Sequence, residues 1–176
     1  MSLLLFALLA ASADHAPEPP LTLGIVLQTT QVQQKALLKH RESINTFLDG
    51  LLRAGDKVFI VAVDQTVRLV KAPTSSRAEL DRVLKAAMYG NPYGTTLVDS
   101  CQNKKRCQAP MGEAVAETVK QFGSIEGRKV ILVLGDIPKP GSKTGGEIAV
   151  YTVGFRGETP GILDSFDSIR QQVDRP

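Results

Sequence analysis

Apolar residues along this chain are grouped in two ways, as unbroken runs and as stripes of helical period. The runs "LTLGIVL" at 21–27 and "VILVL" at 130–134 have the length and continuity of strands buried on both faces of a sheet. "VFIVAV" at 58–63 and "TVRLV" at 66–70 read as a hairpin turned at Asp64-Gln65. The alternation of Val67 and Leu69 with Arg68 and Lys71 marks the second as an edge strand.

Helical spacing fills the intervals. Leu37, Ile44, Leu48 and Leu51 form one stripe, widened by Phe47 and Leu52, and Gly55 stands beyond it as a left-handed cap. His40 falls on that stripe, where a histidine without a second ligand is a packed residue. Ser76 and Glu79 form a capping box at the head of a helix carrying Leu80, Val83, Leu84 and Ala87. After the break "YGNPYGTT", Pro110 opens a third helix with Met111, Val115, Val119 and Phe122 turned inward. "IPKPGSKTGGE" is a turn-rich loop and "IAVYTVGF" a last strand. Thr159-Pro160 then opens a final helix with Ile162, Phe166, Ile169 and Val173 on one face. Strands alternating with helices predict an α/β, Rossmann-like domain, a mostly parallel central sheet with one antiparallel edge strand and helices on both faces. Ligands of such sheets bind outside the carboxyl ends of the strands.

The chain has 176 residues, 43% of them hydrophobic, enough to bury the core of one domain. A net charge of +3 is too small an excess to argue for nucleic acid. With aromatics at 5% and no tryptophan, base-stacking platforms lack material. The chain start changes the picture more. Its apolar run at 3–11, followed by the small residues Ala11-Ser12-Ala13, reads as a signal peptide over residues 1–13, too short to span a bilayer. A terminus that packs on the core or stays disordered is the other reading. Residues 14–20 hold the proline-rich linker "HAPEPP", and 21–176 form the domain.

A secreted or periplasmic location makes Cys101 and Cys107 a disulfide that closes a small loop; a reducing compartment leaves them as two thiols. Their spacing suits neither a CxxC redox pair nor a four-ligand zinc site. The Lys104-Lys105-Arg106 run between them is a solvated loop tip or a contact for an acidic partner. Enzyme chemistry has little to work with. No glycine-rich phosphate loop follows the first strand, no GxSxG occurs, and His15 and His40 offer no base for a hydrolase triad.

The segments "PLTLGIVLQTTQV", "LLRAGDKVFIVAVDQTVRLVKAPTSSRAELDRVL", "GTTLVDS" and "GRKVILVLGD", in this order and spacing, resemble a von Willebrand factor type A domain of the bacterial secreted subgroup, over about 20–155. The resemblance implies a metal-ion-dependent adhesion site made from an Asp-x-Ser-x-Ser loop, a distant Thr and a distant Asp. A hard cation such as Mg²⁺ needs oxygens in near-octahedral array and keeps one position open for a partner's carboxylate. Carried over by position, those residues fall on Gln28, Thr30, Val32, Thr95 and Asp136. A neutral amide and a valine replace a carboxylate and a hydroxyl, so the expected site is degenerate, with Gln28, Thr30, Thr95 and Asp136 as binding residues and no cofactor.

The function this implies is a non-catalytic, extracytoplasmic protein-binding module of adhesion type. Its strand-end surface would be rimmed by the loops at 137–146 and 101–107. Two alternatives stand beside it: an Mg²⁺-dependent adhesion domain in which Thr30, Thr95 and Asp136 hold the metal, and a vestigial structural domain without ligand. The family's further strand and helix after "YTVGF" are missing from the pattern, which leaves an edge on which a second copy could pair.

Overall fold

The computed structural model describes residues 18–90, 93–99, 110–135, 148–155 and 159–173. In chain order the elements are β1 (Leu21–Gln28), α1 (Gln31–Lys39), α2 (Arg41–Leu51), β2 (Lys57–Val63), β3 (Thr66–Thr74), α3 (Arg77–Met88), β4 (Thr95–Asp99), α4 (Met111–Phe122), β5 (Arg128–Leu134), β6 (Ile148–Val153) and α5 (Thr159–Val173). The sheet has the order β4-β3-β2-β1-β5-β6. β1 pairs in parallel with β2 and β5, and β5 with β6; the antiparallel pairings are β2–β3 and β3–β4.

The unbroken apolar runs occupy the centre, as their composition requires, since both faces of β1, β2 and β5 are covered. One face packs on α1, α2, α3 and α5 through Leu37, Leu48, Leu84 and Phe166. The other packs on α4 through Met111, Ala114 and Phe122. Gly24 makes the second contact close: a Cβ there would stand 2.7 Å from both Phe59 Cζ and Thr118 Cγ2. Thr118 is itself buried, its hydroxyl donating to Ala114 O at 2.7 Å.

Several expectations are corrected. "GTTLVD" is not a break but contains β4, so β3 is an inner strand and β4 the edge. The first helical stripe is two helices joined at His40, whose φ of −102° and ψ of 14° interrupt the run. Leu37 and Ile44 keep one face through the joint because they are seven apart, two turns of helix. α2 ends at Leu51, and Gly55 instead serves the following turn, at φ +94. Ser76 caps α3 by accepting from Glu79 N, yet the box is not reciprocal. Glu79's carboxylate turns to Lys71 Nζ at 2.5 Å and Thr74 Oγ1 at 3.0 Å. Those two bonds, led by Lys71, hold the Glu79 carboxyl below its ordinary pKa. On α4, Val115 and Val119 are half-buried, and the fully inward line runs through Met111, Ala114, Thr118 and Phe122.

Candidate functional site

At the carboxyl end of the sheet, β1 passes into α1 through Gln28, Thr29 and Thr30. Thr29 N donates to Val63 O at 2.8 Å, extending the β1–β2 ladder by one step. Thr30 is the extended N-cap of α1, and its carbonyl accepts from Gln34 N at 2.9 Å, while its side chain makes no capping bond. Gln28 is 9% exposed and lies over the end of β5. A Cβ on Gly135 would stand 2.5 Å from both its Cβ and its Oε1. The glycine therefore makes the space that the longer carboxamide fills. Val32, in the first turn of α1, is 79% exposed.

The register places Thr95 elsewhere. It pairs with Leu69, which pairs with Val61, which pairs with Val26. Thr95 is thus level with a residue two positions inside the strand end, and three strands across from β1, roughly 14 Å away. The β4 residue at the strand end is Asp99, opposite Thr66. The structure brings Gln28 and Thr30 together at one strand end and keeps Thr95 apart from them. Asp136, Cys101, Cys107, the loop at 137–146 and the segment 1–17 lie outside the described residues.

A polar chain that the sequence reading missed crosses β3 and β4 at the same end. Asp64 Oδ1 accepts from Thr66 N at 2.7 Å and from Thr66 Oγ1 at 3.1 Å, closing the hairpin turn. Thr66 Oγ1 accepts from Arg68 Nε at 2.9 Å, and Arg68 NH1 donates to Thr96 Oγ1 at 3.2 Å. The Asp-x-Thr spacing was the available signal for the turn; the reach of Arg68 to Thr96 depends on a pairing that spacing does not reveal. On the α1 side, Gly90 follows α3 and lies close against Gln34, where a Cβ would stand 2.3 Å from Nε2. Exposed Tyr89, at 58%, therefore flanks α1 at this end.

The described members of this set do not by themselves fit a hard divalent cation. Gln28 brings a neutral amide packed on Gly135, Val32 brings no donor, and Thr95 is out of reach. Among the described residues no group of three or more His, Cys, Asp or Glu could hold a metal ion. His40 stands apart from this end as a packed residue, 3% exposed and stacked on Phe155 with ring centroids 5.7 Å apart. Burial, and then the charge of Lys39, push its pKa below the ordinary value.

No protein-family model matches the sequence, and no curated protein matches it. Solved structures do resemble the fold. A von Willebrand factor type A protein from Catenulispora acidiphila aligns over 89% of this chain at a TM-score of 0.53 and 13% identity. The conserved hypothetical protein BatB from Bacteroides thetaiotaomicron aligns over 76% at 0.52 and 16% identity. The SpRpn10 VWA domain aligns over 84% at 0.51 and 8% identity. The chain spans 42% of the Catenulispora chain, 66% of BatB and 82% of the SpRpn10 domain. Likeness at these identities is likeness of fold: the chain has a vWA-like, Rossmann-type architecture.

Proposed function

We propose that the chain is a non-catalytic, secreted or periplasmic protein-binding module that works without a metal ion, and that its binding surface is the carboxyl end of the sheet. The observation that carries this reading is the placement of Gln28 and Val32 at the start of α1. Gln28 is folded down on Gly135, and Val32 stands out into solvent where the family pattern has a coordinating serine. Exposed Tyr89, next in sequence to the Gly90 that lies against Gln34, adds an aromatic group near α1, and aromatic residues are enriched at protein interfaces while Lys, Glu and Asp are depleted. In this reading Gln28 shapes the loop, Thr30 starts the helix, and Val32 with Tyr89 makes contact. Cys101–Cys107, if bridged, would order part of the rim. Among the described residues no helix is long and apolar enough to cross a membrane.

A photo-crosslinking amino acid placed at Val32 tests the proposal on the exported protein. Crosslinks to one protein partner, formed equally with EDTA or Mg²⁺ and competed away by excess unlabelled chain, are the expected result. Crosslinking that requires Mg²⁺, or that is matched by the same probe at Ala72 on β3, would remove this surface and its metal-free character from the reading.

A further inference from the structure

β6 is the edge of the sheet on the far side of β5 from β1. Among the described residues it pairs with β5 alone, in consecutive steps from Lys129↔Ile148 to Leu134↔Val153 with no register shift. Its sequence, Ile148–Val153, holds no proline and no charge. Those features, and bulges, are how an edge strand is kept from pairing with other chains. The opposite edge is defended: β4 is five residues long, its register shifts between Val67 and Arg68, and Arg68 reaches over to Thr96.

An open cleft of about 460 Å³ runs between β6 and α5, lined by Tyr151, Thr152, Asp164, Ser165 and Ser168 among others. Its chemistry is one-sided. Ser165 Oγ donates to Gly161 O at 2.8 Å, and Ser168 Oγ accepts from Gln172 Nε2 at 3.1 Å. Asp164 has no hydrogen-bond or ion-pair partner among the described residues, and no described Lys or Arg lines the cleft.

We infer that this edge takes an extended segment of a partner protein as a seventh strand, with a basic side chain of that segment turned toward Asp164. A strand added to β6 lies about 4.8 Å beyond it and sends alternate side chains over the α5 face, where the cleft is. Charge selects this occupant over a second copy of the chain. Self-pairing would set Ile148–Val153 against itself, and no residue of that strand would bring a cation to either Asp164 carboxylate. The area argues the same way: a six-residue ladder presents on the order of 200 Å², against about 800 Å² per partner in a stable interface.

Fluorescence anisotropy tests this with an end-capped, eight-residue peptide of alternating valine and threonine carrying one central lysine. The expected result is saturable binding that is lost when alternate peptide amides are N-methylated, because the ladder supplies the bonds. Exchanging the peptide's lysine for glutamate should weaken binding about three- to tenfold, and Asp164→Lys in the protein should reverse that preference. Asp164 is exposed, so the variant keeps the fold, which circular dichroism checks. Absence of binding at millimolar peptide, equal binding of the N-methylated peptide, or a preference unmoved by Asp164→Lys overturns the proposal. A concentration-dependent dimer in sedimentation, blocked by the peptide, overturns it in favour of a second copy as occupant.

Discussion

Restoring the carboxylate at position 28 is the sharpest test of how the strand end works. Gln28→Asp shortens the side chain, withdrawing the carboxamide that lies against Gly135, and puts a charge where the native residue is 9% exposed. A buried polar group left without its partner costs about 1–3 kcal/mol. At about 2–4 °C per kcal/mol for a chain of this size, Tm falls by roughly 2–12 °C at pH 7. The sign with pH follows from the chemistry. Burial raises the new aspartate's folded pKa above its unfolded value of about 3.9, so the penalty is absent below that pH and grows as pH rises through the folded value. Thermal melts of the variant and the native chain between pH 3.5 and 7.5, each with Mg²⁺ or with EDTA, measure this. A metal present at a hundred times its dissociation constant would add about 2.7 kcal/mol, enough to erase most of the deficit. An Mg²⁺-dependent rise that chelator reverses, in the native chain or in the variant, would refute the view that Val32 and distant Thr95 leave too few donors.

Three further outcomes follow from the packing. Gly24→Ala drives a methyl into Phe59 and Thr118, and overpacking of this kind costs about 1–3 kcal/mol. A urea titration should show the loss, and Thr118→Ser should return part of it, since Cγ2 is one of the two clashing atoms. Asp56→Ala leaves Leu21 N and Arg53 N without the carboxylate that accepts both, at 2.7 and 2.8 Å. It should cost about 2–4 kcal/mol in the same assay, as two backbone donors lose a charged acceptor. The lowered pKa of His40 means that the unfolded chain takes up a proton near pH 6.5 while the folded chain does not. Stability is therefore full above pH 6.5 and declines as pH falls toward the folded pKa. The urea midpoint should slope downward from pH 7 to 5, and His40→Phe should flatten it.

How much of this was legible depended on whether a feature was local. β1 and β5 were readable because strands buried on both faces need unbroken apolar runs, and the head of α3 because Ser76 caps within its own turn. β4 was not, since "TTLVD" follows two Tyr-Gly pairs and becomes a strand through pairing with Thr66, Arg68 and Leu69. The joint at His40 was hidden because the buried positions stay in phase on either side of it. At the strand end the same division holds. The positions of Gln28, Thr30 and Val32 follow from one strand running into one helix, whereas the distance of Thr95 depends on the order of four strands. The Asp64, Thr66, Arg68 and Thr96 chain likewise exists only because β3 lies beside β4.

A strand end that works without a cation, as proposed, must be ordered by other means, and the hydrogen bonds supply them. Thr29 ties β1 to β2, Gly135 N donates to Val153 O between β5 and β6, and Asp64 and Arg68 tie the hairpin to β4. Asp64 and Arg68 turn their charge onto the hairpin and Thr96, while the large apolar groups left outward near α1 are Val32 and Tyr89. Recognition there would rest on apolar burial, at about 25 cal/mol per Å², and would change little with salt. The β6 edge differs, because an exposed Asp164 attracts a basic side chain through solvent and such attraction is screened as the Debye length shortens. Raising ionic strength from 0.05 to 0.5 M, as rough bounds, should therefore weaken the lysine peptide at β6 and leave the Val32 crosslink unchanged. Equal salt sensitivity at both places would mean that the two surfaces do not have the separate chemistries their residues define.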